Sequence, residues 1–511
     1  MAVAFDIAQE RSVLTDESGG AGCLVQDTAQ RILACHGSSL LTGSSLPGEA
    51  GTLQPRKNHP WLFHHSAIEC RCIVRRFSGR CQPARWHTPG VSYRLHLRCL
   101  GCGKQYAPDT IMNLCPHDGR PVEIVLDLER LAAERPGASW YRPERRNMWR
   151  FGGLLVLDHD DTGDRRWIVT LGEGHTPLLD YHAHPLAAHH GFRLWVKEEG
   201  MQMPGFGANP TLSFKDRGMA MTVSMARKLA LTQLAVPTQG NAGDSLATYA
   251  ARAGIAAAVA MPNDTPLPIL GRVAALAKTN PDIRLDLVPG TIREAGELVQ
   301  RKYVADGWFS VATFQEPGWR IEGKKTLGLE IAEPHNGLND DNWGVPDAIV
   351  YPTGGGTGIV GMWKAFDELE ALGLIDARRP RFIAVQSEST APLVVAFDSG
   401  RADTTAVTPG ETLATGLNVP GGVGHFQVLK ILRDSGGAAL SVSEKAIAST
   451  LAEVYRTRGW WICPEGAATL AALEQCVSRR LIRRGEQVVC INTCSFEKYL
   501  PNVRHLIQPP G

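Results

Sequence analysis

The stretch Asp347-Ala348-Ile349-Val350-Tyr351-Pro352-Thr353-Gly354-Gly355-Gly356-Thr357-Gly358-Ile359-Val360-Gly361 constrains the fold more than any other. An apolar run ends in clustered glycines, and a segment of helical character follows through Met362 to Leu372. Such a strand, tight turn and helix let successive backbone N–H groups approach an anion, and the helix adds its N-terminal dipole. The turn reads either as a phosphate cradle or as a plain tight connection. It is no P-loop, because the Gly-Lys-Ser/Thr ending is missing, and the G-x-G-x-x-G spacing arises only within a glycine-rich run. Similar apolar runs recur at Leu234–Pro237, Ala256–Met261, Ile283–Val288, Ser310–Thr313, Phe382–Val385 and Gln487–Ile491, with helical stretches between them. This alternation predicts a mainly parallel, doubly wound α/β architecture with ligands at the carboxyl ends of strands.

Two further segments carry chemistry. In Asn209-Pro210-Thr211-Leu212-Ser213-Phe214-Lys215-Asp216-Arg217-Gly218, a lysine opens an apolar helix (Met219 to Leu229). A helix start disfavours a second cation and lowers the amine pKa, as a Schiff-base lysine requires. A surface lysine at a helix N-terminus is the alternative. Thr238-Gln239-Gly240-Asn241-Ala242-Gly243-Asp244-Ser245 follows an apolar run and precedes a helix. Its hydroxyl, amide and free backbone N–H groups suit a carboxylate, and Asn241 can bond a phenolic oxygen, although a plain N-cap also fits.

Lysine, asparagine loop and glycine cradle, in that order, resemble the threonine synthase-like family of fold-type II pyridoxal-phosphate enzymes (tryptophan synthase beta-like). The resemblance runs from about Leu97 to Leu506. It is carried also by Glu173-Gly174-His175-Thr176-Pro177-Leu178, Ser213 to Met219, Arg320-Ile321-Glu322-Gly323-Lys324-Lys325-Thr326 and Cys463-Pro464-Glu465-Gly466-Ala467-Ala468-Thr469. It implies a large cofactor domain (126–216 and 343–511) and a smaller one (217–342) that closes over the substrate. It makes Lys215 the catalytic, cofactor-linked base. Gly354, Gly355, Gly356 and Thr357 would hold the cofactor phosphate, Asn241 its ring hydroxyl and Thr493, with Ser495 second, its ring nitrogen. Thr238, Gly240, Ala242 and Gly243 would hold the substrate carboxylate, and Arg320, with Lys324 and Lys325 as alternatives, its phosphate.

The activity implied is conversion of O-phospho-L-homoserine and water to L-threonine and phosphate, by a cytoplasmic homodimer acting on a small amino acid. Elimination or β-replacement on serine- or threonine-type amino acids, and a catalytically silent cofactor-binding relative, are the alternatives. Near the C-terminus Asn492-Thr493-Cys494-Ser495-Phe496-Glu497-Lys498-Tyr499 departs from the family's N-T-G-S-G-L-K-Y, with Cys494 and Phe496 in place of glycines. Phe496 must turn into the core or narrow the site.

The 511 residues carry 43% hydrophobic and 21% charged residues at net charge +1, which allows several packed domains and gives no reason to expect nucleic-acid partners. No apolar stretch has membrane-helix length, and no leader pattern opens the chain, so no membrane partner and no secretion are expected. The 12 cysteines are scattered, which in a long cytosolic chain suggests thiols and a metal site rather than disulfides. Residues 1–90 are rich in Ser, Gly, Pro, His and Arg without sustained periodicity and are expected to pack poorly. Residues 91–125 resemble a zinc ribbon. Cys99, Cys102 and Cys115 are joined there by Asp118, or His117, where a fourth thiolate would stand. Either zinc binds, with Cys70, Cys72 or Cys81 compensating for the lost thiolate, or the segment is a metal-free remnant.

Overall fold

The computed structural model of the protein describes residues 92–507; the N-terminal segment with Cys70, Cys72 and Cys81 lies outside the described residues. The first sheet is antiparallel, with β1 (Arg94–Cys99) between β2 (Gln105–Tyr106) and β3 (Val122–Leu126). Then follow β4 (Leu178–Asp180), β5 (Arg193–Glu198), β6 (Gln233–Pro237), β7 (Ala256–Pro262), β8 (Ile283–Val288), β9 (Phe309–Ser310), β10 (Ala348–Pro352), β11 (Arg381–Ser387), β12 (Ala438–Val442) and β13 (Gln487–Asn492).

These strands form two sheets. One is six-stranded in the order β12-β11-β10-β13-β5-β4, parallel except for β4, and the other is four-stranded in the order β8-β7-β6-β9, parallel throughout. Parallel sheets are covered on both faces, which explains why β10 reads A-I-V-Y-P with every residue buried. The four-stranded sheet is built wholly from residues 233–310. Three strands of the larger sheet, β4, β5 and β12, lie outside the apolar runs expected from the sequence. In β5 (R-L-W-V-K-E), Lys197 and Glu198 are buried, so charge masks a core strand.

Lys197 of β5 and Glu199, just past its end, belong to an ion cluster in the protein interior. Arg217 donates to Glu199 and, through both terminal nitrogens, to Glu330, all at 2.7–2.8 Å; Lys197 reaches Glu330 at 2.8 Å. Glu330 also accepts from the backbone N–H groups of His175 and Thr176. The opening segment Glu173–Leu178, the lysine segment and the helix Trp319–Ala332 therefore converge on one set of buried charges.

That helix has no solvent face: every residue from Trp319 to Ala332 is buried. Its neighbours approach where side chains are missing. A Cβ on Gly323 would lie 2.0 Å from the Arg217 carbonyl oxygen, one on Gly328 2.8 Å from Met362 Cα, and one on Gly361 2.9 Å from the Lys324 carbonyl carbon. The helices Lys215–Lys228 and Thr357–Ala371 thus press on it backbone to backbone, which seats the start of each at a fixed depth.

Candidate active site

Chain direction brings three helix starts to one place. Lys215, Asn241 and Thr357 are the first residues of their helices, and β6 and β10 deliver the second and third. They line a single pocket with Phe214, Gly354, Gly355, Gly356, Glu465 and Thr493. Every first-choice cofactor residue from the sequence is in that lining, and Ser495, the second choice for the ring nitrogen, is not. Arg320, Thr238, Gly240, Ala242 and Gly243 are not.

The glycine loop is a cradle. Gly356 has φ of +87°, and a Cβ there would stand 2.4 Å from Val428 Cγ2; on Gly354 it would stand 2.4 Å from the Gly416 oxygen. Among the described residues no acceptor faces the N–H groups of Gly354, Gly355, Gly356 or Thr357. Unpaired N–H groups at a helix start are the donors a phosphate takes. The loop is held from behind by His425, whose Nε2 is 2.9 Å from the Gly354 oxygen while the Gly422 N–H donates to Nδ1 at 3.1 Å. Nε2 therefore carries the proton. No sequence signal had marked His425.

Lys215 is half-buried, and its amine is pulled down to about 8 by burial first and Arg320 second, partly offset by Cys494 and Glu465. The next two residues hold the helix start rigid. Asp216 accepts from the Thr211 N–H and hydroxyl and from Ser245, and Arg217 enters the ion cluster. Arg320 is 2% exposed and donates to the Val311 oxygen. Lys324 and Lys325 are neither solvated nor in the pocket: Lys324 donates to the Phe214 oxygen at 2.6 Å, and Lys325 pairs with Glu322 and Glu368 at 2.7 and 2.9 Å.

In the second loop the Thr238 hydroxyl is used internally, accepting from the Gly240 and Gly243 N–H groups at 2.9 and 3.3 Å. Asn241 accepts from Lys498 Nζ at 2.8 Å and donates to the Tyr499 hydroxyl at 3.3 Å, and Tyr499 donates to Glu465 at 2.8 Å. Glu465 also accepts from the Gly416 N–H at 2.8 Å. The sequence marked the segment around Glu465 without giving this residue a role. Its position after Pro464 at a helix start is the signal that was available.

Beside it, Thr493 Oγ1 and Cys463 Sγ lie 3.8 Å apart. Phe496 turns away into the core, packed edge-on to Trp461 at 4.9 Å between ring centroids, and does not line the pocket.

In the N-terminal sheet, Cys99, Cys102, Cys115 and Asp118 hold their donor atoms within 4.8 Å of one another. Cys102 and Cys115 are 3.8 Å apart, and Cys99 is 3.2 Å from Asp118 Oδ1.

Residues 169–493 match the family described as pyridoxal-phosphate dependent enzyme. A threonine synthase of Methanosarcina acetivorans is 32% identical over 406 residues, covering 78% of this chain and 91% of that protein. One of Mycobacterium bovis is 33% identical over 344 residues, covering 67% and 87%. Among solved structures, diaminopropionate ammonia lyase from Escherichia coli superposes with a TM-score of 0.54 at 17% identity, over 66% of this chain and 88% of that one, a likeness of fold.

Proposed function

The chain belongs to the pyridoxal-phosphate-dependent enzymes, and from that premise we propose that it is a threonine synthase, converting O-phospho-L-homoserine and water to L-threonine and phosphate. The observation that carries this reading is the convergence of Lys215, Asn241, the unpaired N–H groups of Gly354 to Thr357, and Thr493 on one pocket. These groups fit the cofactor: a phosphate for the cradle, a polar ring edge for Asn241, and a hydroxyl rather than a carboxylate at Thr493. Bound there, pyridoxal phosphate supplies an electron sink that acidifies the substrate's Cα–H.

The chain's own groups do the remainder. The Lys215 amine, held near 8, is in part unprotonated at neutral pH and takes the α-proton, then returns protons to carbon. The glycine loop would hold the cofactor's phosphate and Thr493 its ring nitrogen, with Lys215 in the same pocket to exchange protons with substrate carbon. For the substrate, Thr238 and the loop Gly240 to Gly243 bind the carboxylate once the internal bonds of Thr238 open, and Arg320 takes the leaving phosphate. A water must enter at the β-carbon after phosphate has left the γ-carbon.

The same reading carries a cytoplasmic homodimer, checked by light scattering of the purified protein. Among the described residues no helix is long and apolar enough to cross a membrane. The cluster of Cys99, Cys102, Cys115 and Asp118 is either a metal-free remnant of a zinc ribbon or a site for one zinc ion, the second reading resting on a sulfur separation of 3.8 Å, the edge of a tetrahedral thiolate site.

The test offers the holoprotein phosphohomoserine, serine, threonine and O-acetylserine in parallel, with products identified. Threonine and phosphate from phosphohomoserine alone is the expected result; faster turnover of serine or threonine overturns it. Arg320→Lys is expected to lower the use of phosphohomoserine by about one to two powers of ten, because a point charge replaces a planar fork at a cost of about 1.5–3 kcal/mol.

A further inference from the structure

Two thiols and a carboxylate stand together at the edge of the pocket, the carboxylate in its lining and the thiols behind it, and the reaction above has no use for the thiols. Cys463 Sγ, Cys494 Sγ and a Glu465 carboxylate oxygen all lie within 4.8 Å of one another, and the three residues are 0%, 1% and 3% exposed. Cys463 caps the helix Pro464–Ala471; its thiol donates to Asn492 Oδ1 at 3.0 Å and accepts from the Gly466 N–H at 3.3 Å. Cys494 follows β13 and points its thiol at Glu465 Oε2, 3.8 Å away.

Main-chain contacts fix the two segments that carry them. Isolated bridges join Ser213 to Cys494 and Ile462 to Ser495, and a Cβ on Gly200 would fall 2.1 Å from the Cys494 carbonyl carbon. The donors are therefore brought together by the backbone before any ligand arrives. With metal–sulfur bonds of about 2.3 Å, the edge of a tetrahedral site is about 3.8 Å, so movements of about 1 Å close this set around an ion. Two thiolates with one carboxylate select soft and borderline cations over magnesium or calcium. The remaining position opens on the pocket, because Glu465 itself lines it alongside Lys215 and Thr493.

We propose that Cys463, Cys494 and Glu465 bind a thiophilic divalent cation of the zinc class, and that its binding shuts the pocket to turnover. The step involves no redox change. The cation displaces one proton from each thiol to solvent, so a site of charge −1, from the carboxylate, becomes a cation held by two thiolates and a carboxylate, again of charge −1. Loss of function follows from the other bonds of Glu465. Turning Oε2 onto a cation swings Oε1 with it, the oxygen that accepts from both the Gly416 N–H and the Tyr499 hydroxyl, and the Gly416 oxygen is the atom that closes over Gly354 in the phosphate cradle.

The experiment is a cadmium titration of the holoprotein, kept reduced by a non-thiol reductant, in the wild type and in Cys463→Ser/Cys494→Ser. The wild type should bind one more equivalent, with two more thiolates' worth of ultraviolet charge-transfer absorbance and two more protons released. Its activity should fall in step with that band, while the variant's own rate does not respond. The cluster at Cys99 to Asp118 contributes equally to both proteins and cancels in the difference. Equal equivalents, absorbance and proton release in the two proteins would overturn the proposal. Should the variant not fold, phenylarsine oxide on the native wild type decides: arsenic bridging the Cys463 and Cys494 peptides supports it, and arsenic on other cysteines alone overturns it. None of these binding readouts depends on which amino acid the enzyme uses.

Discussion

Lys215 and Lys324 share one aromatic ring: their amines lie 4.7 and 2.9 Å from the centroid of Phe214. They are not equivalent. Lys324 is fully buried, bonded to the Phe214 oxygen and held well below its ordinary value by burial and by Lys215, whereas Lys215 alone reaches the pocket. Borohydride reduction and peptide mapping of the holoprotein should therefore find the cofactor on Lys215 only, and Lys215→Ala should abolish turnover.

The value of about 8 for Lys215 sets a pH dependence. Capture of the cofactor needs the neutral amine, so the rate of reconstitution of apoprotein should rise with pH and level off above about 8. Arg320→Met removes the second cause of the lowering and should move the midpoint upward. The sign for stability is the same: between about 8 and the ordinary 10.5 the unfolded chain holds the proton that the folded chain has lost, so this group's contribution rises with pH across that window. Stopped-flow absorbance over a pH series checks the first two points.

His425 acts through the cradle and not on substrate. His425→Phe leaves the Gly354 oxygen and the Gly422 N–H without their buried partner, at a cost of about 1–3 kcal/mol. Cofactor affinity, measured by equilibrium titration of apoprotein, should fall by about tenfold or more. His425→Gln should recover part of the loss, because its amide can donate to the same carbonyl.

Arg217 tests the buried ions. Arg217→Met strands Glu199 and Glu330, leaving Lys197 to face both, and should cost about 3–5 kcal/mol in urea unfolding. Because Lys215 stands two residues before it at the same helix start, cofactor binding should weaken as well. A stability loss under 1 kcal/mol, roughly the worth of a surface pair, would show that the cluster is not the pin described.

At the N-terminal sheet, the purified protein should carry up to one zinc per chain on Cys99, Cys102, Cys115 and Asp118. Its removal by chelator should lower the unfolding temperature while the folded fraction keeps its turnover. Asp118→Cys completes four thiolates and should bind zinc more tightly, as metal analysis after competitive chelation would report.

Much of this was legible because the relevant pattern is local. Runs such as Ala348 to Tyr351 and Phe382 to Val385 are buried on both faces and announce themselves by apolarity, and the loop that follows the first carries its glycines in sequence. What escaped depends on partners far along the chain. β5 reads as half charged, and its identity as a core strand rests on Glu330 covering Lys197 and Asn492 covering Glu198. Lys324 and Lys325 read as solvated or phosphate-binding because nothing nearby reveals Phe214 or Glu368 as their partners. Glu465 and His425 gain their meaning only from Gly416, Tyr499 and Gly354, each supplied by another element.

The sunken helix Trp319–Ala332 reverses an ordinary expectation about mutational tolerance. On most helices the charged positions drift freely and the leucines are held. Here Glu322, Lys324, Lys325 and Glu330 each have a buried partner to lose, and Gly323 and Gly328 have no room to gain an atom, whereas Leu327 or Leu329 can trade shape with an isomer at modest cost. In a saturation library this segment should tolerate hydrophobic exchange and reject the polar swaps that look conservative on paper. Variation that retunes the enzyme has to enter through the loops that reach the pocket from outside, above all the stretch carrying Gly416 and Leu417.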